Sequence, residues 1–135
     1  GPGEEEDALF IQQHMKLPSH VIPKTTLSQL GAIIRRCDFV VSNDSGPMHI
    51  AASLNIPTLG IFGPTNPRQQ GPYGNGHLWI RNEDLDCLEC GLTSCPIGNV
   101  CMTKLEVERV MDAFNHLTDQ SKIHRRSAVN HSKEV

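Results

Sequence analysis

The chain has 135 residues, which is enough for one modest hydrophobic core and too few for two independent lobes. Apolar residues make up 38% and charged residues 20%, as in a soluble globular domain rather than a disordered or fibrous chain. The formal net charge of -3 provides no broad positive field for a polyanion, so nucleic acid is not an expected partner.

No apolar run approaches the roughly 20 residues that a membrane-spanning helix needs. The acidic start Glu4–Asp7 is the reverse of the basic entry of a signal peptide. We therefore expect a cytoplasmic protein.

A helix is predicted over residues 4–17, because acidic side chains begin it and apolar residues from Ala8 to Met15 recur on roughly one face. Gly1–Gly3 before it is either a cloning remnant or a glycine-rich turn entering the helix, and the sequence leaves both open. The apolar stretch His20–Ile22 predicts a short strand.

The next elements alternate in a way typical of a parallel sheet. Thr26 and Gln29 form a capping box that opens a predicted helix over Leu27–Arg36. Asp38–Ser42 is a β-rich apolar run without alternation, so we expect a central strand covered on both faces.

A second helix and strand continue this pattern. Ser45–Leu54 is a predicted helix with Ser45 as its cap and Pro47 in its first turn. Thr58–Phe62 is another buried run. The alternation predicts an α/β fold, a Rossmann-like parallel sheet with flanking helices.

The remaining sequence contains a long loop, an edge strand and a final helix. Residues 63–76 hold four Gly and three Pro, a loop long enough to be functional, and Leu78–Ile80 predicts an edge strand. Thr103 and Glu106 suggest a capping box before an amphipathic helix ending near residue 117. We expect a domain over residues 1–117 and a mobile tail over 118–135.

The most informative motif is the segment Ser42–His49, where a predicted strand ends and a helix begins. Unpaired N–H groups and the dipole at a helix start stabilise a phosphate, and Gly46 allows its close approach. Ser45 and His49 can add donors. Asp44 would repel a phosphate, so its better partners are the hydroxyl groups of an attached sugar.

Two plainer interpretations remain open for this motif. Asp44 and Ser45 can simply form an Asx turn and a helix cap, and a lone histidine such as His49 is more often solvated than a ligand. The second loop, Gly63–Pro67, favours the binding interpretation. It follows the next parallel strand and therefore emerges at the same edge of the sheet.

The string SNDSGPMHIAASLNIPTLGIFGPTNPRQQGPYG resembles the signature of glycosyltransferase family nine, the ADP-heptose:lipopolysaccharide heptosyltransferases. These enzymes have a two-lobed GT-B fold. The resemblance runs from Gly1 to about Phe114 in the order of the family's C-terminal lobe, and the leading GPGEEE resembles its glycine-rich loop.

The resemblance implies a site for an ADP-heptose-like donor. The diphosphate and heptose would bind at Asp44, Ser45, Gly46, Pro47, Met48 and His49. Asp44 would hold the sugar, and Glu5, rather than Glu4, would hold the ribose hydroxyls. Thr25 would border the adenine through its backbone. The wall of the cleft would be formed by Gly63, Pro64 and Thr65.

The resemblance also implies that parts of the enzyme lie outside this chain. In GT-B enzymes of this kind the acceptor, here a lipopolysaccharide core, and the catalytic base belong to the N-terminal lobe, so no catalytic residue is expected here. The start of the C-terminal lobe, with a basic residue for the phosphates, is also expected to precede this chain. We expect inverting transfer without a metal, a fragment that is inactive alone, and self-association through uncovered apolar surface.

The basic tail allows a second location beside the cytoplasm, at the inner face of the inner membrane. The basic tail from Lys122 to Lys133 is either a solvated terminus or a contact with anionic lipid.

The cysteines allow a different interpretation. Cys87, Cys90, Cys95 and Cys101 could hold structural zinc or an iron–sulfur cluster, remain free thiols, or form disulfides. Cys37 lies apart and is predicted to be a core thiol. Rival functions are therefore a cysteine-based metal-binding or redox module and a nucleotide-binding domain without catalysis.

Overall fold

The structure is a computed structural model that describes the backbone of residues 3–131 and the side chains up to Ser121. Its contacts divide the chain into two compact units, Gly1–Leu30 and Gly31–Val135. Helix α1 (Glu5–His14) lies in the first unit and has acidic residues in its first turn, as predicted. None of its residues is buried.

The second helix starts where its capping box predicts. In α2 (Leu27–Ile34), the Gln29 side chain accepts a hydrogen bond from the Thr26 N–H at 2.9 Å, and the Thr26 hydroxyl accepts one from the Gln29 N–H at 3.3 Å. The predicted strand at His20–Ile22 is wrong, since no strand is assigned over residues 15–26. Only two residues of this stretch, Val21 and Ile22, are apolar, and the Pro23 that follows them cannot donate a hydrogen bond to a neighbouring strand.

The second unit is built on a three-stranded parallel sheet in the order β1-β2-β3. The strands are β1 (Val40–Asn43), β2 (Thr58–Phe62) and β3 (Leu78–Arg81). Their register pairs Val40 with Thr58 and Gly60 with Trp79. This is the α/β architecture that the alternation of elements predicts.

Strand β1 differs from its prediction. It lies at an edge of the described sheet, its burial alternates along the strand, and the Val41 side chain is 49% exposed. Strand β2 is the central one and is buried at all but one position. An apolar run without alternation indicates a strand that can be buried on both faces. It does not indicate how many neighbouring strands pair with it.

Helix α3 (Gly46–Ser53) packs against β1 and β2. Its Met48 side chain is fully buried, and a Cβ at Gly60 would stand 2.8 Å from the Met48 sulfur, so this close packing depends on the glycine. Short helix α4 (Pro67–Gln70) interrupts the loop after β2.

The C-terminal helices also differ from the sequence prediction. Thr103 ends short helix α5 (Val100–Thr103) and donates to the Asn99 carbonyl, so it does not cap α6 (Val107–His131). Helix α6 packs on β2 and β3, and Leu117 is fully buried. The end of regular structure predicted at residue 117 is wrong, because no Gly or Pro follows Gly98 to stop a helix.

Several expectations about the tail fall outside the described part. The side chains of Lys122 and the residues after it are not described, nor is the backbone of residues 132–135, Gly1 or Pro2. The proposed lipid contact of the basic tail concerns those residues. Among the helices of the described part, none combines the length and the apolar character that crossing a membrane requires.

Candidate functional site

The motif after β1 stands at the carboxyl edge of the sheet. The Asp44 N–H donates to the Ile61 carbonyl at 3.1 Å, which continues the parallel ladder one residue beyond β1. Asp44 is therefore fixed by its backbone at the strand tip, with a partly exposed side chain. This is the edge where open α/β sheets carry ligands.

Ser45 is the N-cap residue of α3, as predicted, but its hydroxyl does not cap the helix. Instead, Ser45 Oγ donates to the Asn43 carbonyl at 3.1 Å and lies 3.1 Å from Ser42 Oγ. The plain interpretation of Ser45 as a side-chain cap is therefore not supported. Neither the Ser42 nor the Ser45 side chain accepts a hydrogen bond from an amide at the start of α3.

The start of α3 is open to solvent. Gly46, Pro47 and His49 are exposed, and a Cβ at Gly46 would meet no atom within 4 Å. Pro47 has no N–H, and the Met48 N–H is bonded to the Ser45 carbonyl at 3.1 Å. An anion approaching this turn would therefore meet the Gly46 amide first, while the buried Met48 side chain belongs to the core.

The loop after β2 meets this turn, as the parallel topology predicts. Thr65 Oγ1 donates to Asp44 Oδ2 at 2.7 Å. Gly63 is buried, and Pro64 and Thr65 are partly buried. The hydrogen bond orients the Asp44 carboxylate and leaves its other oxygen for a further donor.

A third segment, after β3, holds the Gly63–Asn66 loop in place, and sequence analysis missed it. The Gly91 N–H donates to the Pro64 carbonyl at 2.8 Å, and Asn66 Nδ2 donates to Glu89 Oε2 at 2.8 Å. Glu89 and Asn66 are 23 residues apart. Contacts at this separation leave no local pattern in a sequence.

Arg81 anchors this third segment electrostatically. Its side chain is 8% exposed and donates to Glu83 Oε1 at 3.1 Å and to Glu89 Oε1 at 2.9 Å. The hydrogen bond from Arg81 lowers the pKa of Glu83, and the two carboxylates raise the pKa of Arg81. The guanidinium is thus held between two acids.

The four clustered cysteines are free thiols in the structure. In the part of the chain that the structure describes, no three His, Cys, Asp or Glu side chains are grouped as metal ligands. The zinc or iron–sulfur interpretation of Cys87, Cys90, Cys95 and Cys101 therefore gains no support from the geometry. Cys37 is exposed, so its prediction as a core thiol is wrong.

Two of these cysteines have defined surroundings. Hydrogen bonds from the backbone at Ile97 and Asn99 lower the pKa of the Cys95 thiol. Cys101 packs against the Gly63–Asn66 loop, since a Cβ at Gly63 would stand 3.2 Å from its sulfur. The cysteine-containing segment is therefore packed against one of the two predicted binding loops.

The other predicted site residues, Glu5 and Thr25, belong to the first unit, whereas Asp44–His49 and Gly63–Thr65 belong to the second. Within the first unit, Glu5 lines a cleft of about 500 Å³ with residues that include Pro23 and Lys24. Thr25 directly follows this lining along the chain. Glu5 thus borders a cleft within the first unit.

Known proteins are similar to this chain in sequence and fold. The profile of glycosyltransferase family 9 (heptosyltransferase) matches residues 2–101. Lipooligosaccharide heptosyltransferase 2 of Campylobacter jejuni is 35% identical over 111 residues, which cover 82% of this chain and 34% of that protein. The lipopolysaccharide core heptosyltransferase OpsX of Haemophilus influenzae is 43% identical over 74% of this chain and 31% of its own length.

Solved structures agree with these matches. Escherichia coli heptosyltransferase WaaC with ADP gives a TM-score of 0.68 at 25% identity, covering 87% of this chain and 32% of that one. E. coli ADP-heptose lps heptosyltransferase II gives 0.57 at 28% identity, covering 73% and 27%. This chain spans about a third of the length of the curated relatives that it matches. With the family profile covering most of its residues, the chain belongs to glycosyltransferase family 9, the heptosyltransferases.

Proposed function

We propose that this chain is the donor-binding half of an inverting heptosyltransferase of lipopolysaccharide core biosynthesis, and that it binds an ADP-heptose-like nucleotide sugar. The observation that carries the proposal is the 2.7 Å hydrogen bond from Thr65 to Asp44. It fixes a carboxylate directly beside an open helix start. An acceptor for sugar hydroxyls thus adjoins a position that favours phosphate.

The two parts of this site have different chemical tasks. The Gly46 amide and the dipole of α3 stabilise the diphosphate, and they stabilise it further as negative charge develops on the leaving nucleotide. Asp44 accepts hydrogen bonds from the heptose through the oxygen that Thr65 leaves free. In the first unit, considered by itself, the family resemblance assigns Glu5 to ribose hydroxyls and the Thr25 backbone to an adenine.

Two facts about relatives support a nucleotide as the ligand. The similar E. coli protein WaaC was determined with ADP, and a second similar structure is described as an ADP-heptose heptosyltransferase. In our proposal the lipopolysaccharide acceptor and the catalytic base belong to the other lobe of the GT-B fold. Purified alone, the chain should therefore bind the donor but transfer little or no heptose.

Calorimetric titration of the chain with ADP and with ADP-heptose tests the proposal. Asp44→Ala should weaken ADP-heptose binding about tenfold, because hydrogen bonds from the sugar to a charged group are lost. Binding of ADP alone should stay within about twofold, since Asp44 contacts no phosphate in the proposal. Asp112→Ala, which removes the same charge from an exposed site on α6, is the matched control.

The ratio of the affinities for ADP-heptose and for ADP decides the outcome. A wild-type chain that binds neither ADP nor ADP-heptose contradicts donor binding altogether. Equal weakening of both ligands in Asp44→Ala contradicts the assignment of Asp44 to the sugar.

A further inference from the structure

The Gly63–Asn66 loop is held from outside by the chain segment that follows β3. Two hydrogen bonds join them, from the Gly91 N–H to the Pro64 carbonyl and from Asn66 Nδ2 to Glu89 Oε2, each at 2.8 Å. The first involves only backbone atoms and defines where the segment crosses the loop. The second is made by side chains, so it depends on residue identity.

Glu89 is held in place from its other side as well. Its Oε1 accepts from the Arg81 guanidinium at 2.9 Å, and that arginine is nearly buried at 8% exposure. The Glu89 backbone has a φ of 61°, in the left-handed region that residues with a side chain rarely adopt. The Glu89 side chain is 40% exposed, so its contacts with Asn66 and Arg81, rather than burial, hold it in place.

Asn66 is also fixed in orientation. Its Oδ1 accepts from the Arg68 N–H at 2.9 Å and thereby caps α4. The amide cannot rotate by half a turn without losing this cap. Its Nδ2 must therefore face Glu89, and the hydrogen bond between them has a defined donor and acceptor.

We propose that Glu89 is a positioning residue for the donor site, which it serves by holding Asn66 and thus the loop from which Thr65 orients Asp44. The proposal rests on the proposed function above. Hydrogen bonds of 2.7 to 2.9 Å join Asp44 to Thr65, Asn66 to Glu89, and Glu89 to Arg81, while one peptide bond joins Thr65 to Asn66. Loss of the contact between Glu89 and Asn66 should therefore weaken binding of the sugar more than binding of the phosphates.

Reversing the direction of one hydrogen bond tests this idea. Asn66→Asp keeps the capping oxygen but replaces the donor with a carboxylate that faces Glu89. Glu89→Gln keeps an oxygen for Arg81 but turns an amide donor toward the Asn66 donor. In the double variant, the amide introduced at position 89 can donate to the carboxylate introduced at position 66, so the bond is restored with opposite polarity.

ADP-heptose and ADP titrations on the full chain measure the effect. Each single variant should weaken ADP-heptose binding about five- to tenfold, while ADP binding changes by less than about twofold. The double variant should return to within about twofold of the wild type. Glu89→Gly, which suits the left-handed backbone and removes both contacts, should behave like the single variants.

Glu83→Gln is the matched control, because it weakens the other ion pair of Arg81 without touching the loop. If it lowers ADP-heptose binding as much as Glu89→Gln, or if the double variant is no better than the weaker single one, the positioning role is overturned. The positioning role is also overturned if every Glu89 variant keeps the wild-type ratio of ADP-heptose affinity to ADP affinity. That result would leave the proposed binding of the donor untouched. A wild-type chain without donor binding overturns the proposed function itself.

Discussion

The two turns at the carboxyl edge of the sheet are built in opposite ways. The turn after β1 is open: Gly46 has no neighbour within 4 Å of its Cβ position, and Gly46, Pro47 and His49 are exposed. The turn after β2 is closed: Gly63 is buried beneath the sulfur atoms of Cys101 and Met102. Glycine leaves open space beside the backbone in the first turn and permits close packing of the protein in the second.

The largest expected effect comes from placing a methyl group in each turn. Gly63→Ala should lower the free energy of unfolding by about 1–2 kcal/mol, because the new Cβ would stand 2.9 Å from the Met102 sulfur. Gly46→Ala should change it by about 0.5 kcal/mol or less, since the site is open and alanine suits a helix. Urea denaturation measures both.

For ADP affinity, we expect the opposite order of effects from the one expected for stability. Gly46→Ala should be the one that weakens ADP binding, because its methyl group lies where the anion approaches. Equal losses of stability in the two variants would contradict the contrast between an open and a closed turn.

A smaller effect is expected where the two turns meet. Thr65→Val removes the hydroxyl that donates to Asp44 while keeping the shape of the side chain. The free energy of unfolding should fall by about 1 kcal/mol, the usual net value of such a bond at a partly buried site. Thr65→Ser retains the hydroxyl and should lose less. A valine variant as stable as the wild type would show that this hydrogen bond does not contribute to stability.

The smallest effect concerns the opposite edge of the sheet, where His77 precedes β3. Both ring nitrogens of His77 are shielded from solvent, and this burial lowers its pKa below 6.5, although the backbone of Ile56 partly opposes the shift. The unfolded chain therefore binds the proton more readily. The stability that neutral His77 provides is present above pH 6.5 and is lost as the pH falls below it.

Urea denaturation at several pH values between about 7.5 and 5 measures this dependence. His77→Gln, which does not titrate in this range, should flatten it. An unchanged pH dependence in that variant would show that other groups cause the loss.

Much of this edge could be predicted because it follows from the chain direction of parallel strands. The ends of β1 and β2 must lie side by side, so Asp44 and Thr65 could be expected to meet. The capping box at Thr26 was equally predictable, because its donors and acceptors are three residues apart. The capping box predicted at Thr103 follows the same rule and is wrong, because the Thr103 hydroxyl donates to the Asn99 carbonyl instead.

The remainder depended on partners that a local pattern does not identify. Whether β1 is a central or an edge strand depends on how many strands pair with it. Whether His20–Ile22 forms a strand likewise depends on a partner strand, and the structure assigns no strand there. The contact between Asn66 and Glu89 joins segments on either side of β3. Only the folded sheet brings those segments together.

The packing of Met102 on Gly63 has a consequence for how the protein should be handled. Met102 is partly exposed, and oxidation to the sulfoxide would add a polar oxygen to a sulfur that lies 2.9 Å from the Cβ position of Gly63. Peroxide in a buffer or an ageing sample would thus disturb the loop that carries Thr65, without any change in sequence. Reductase treatment that restores Met102 should restore the loop as well.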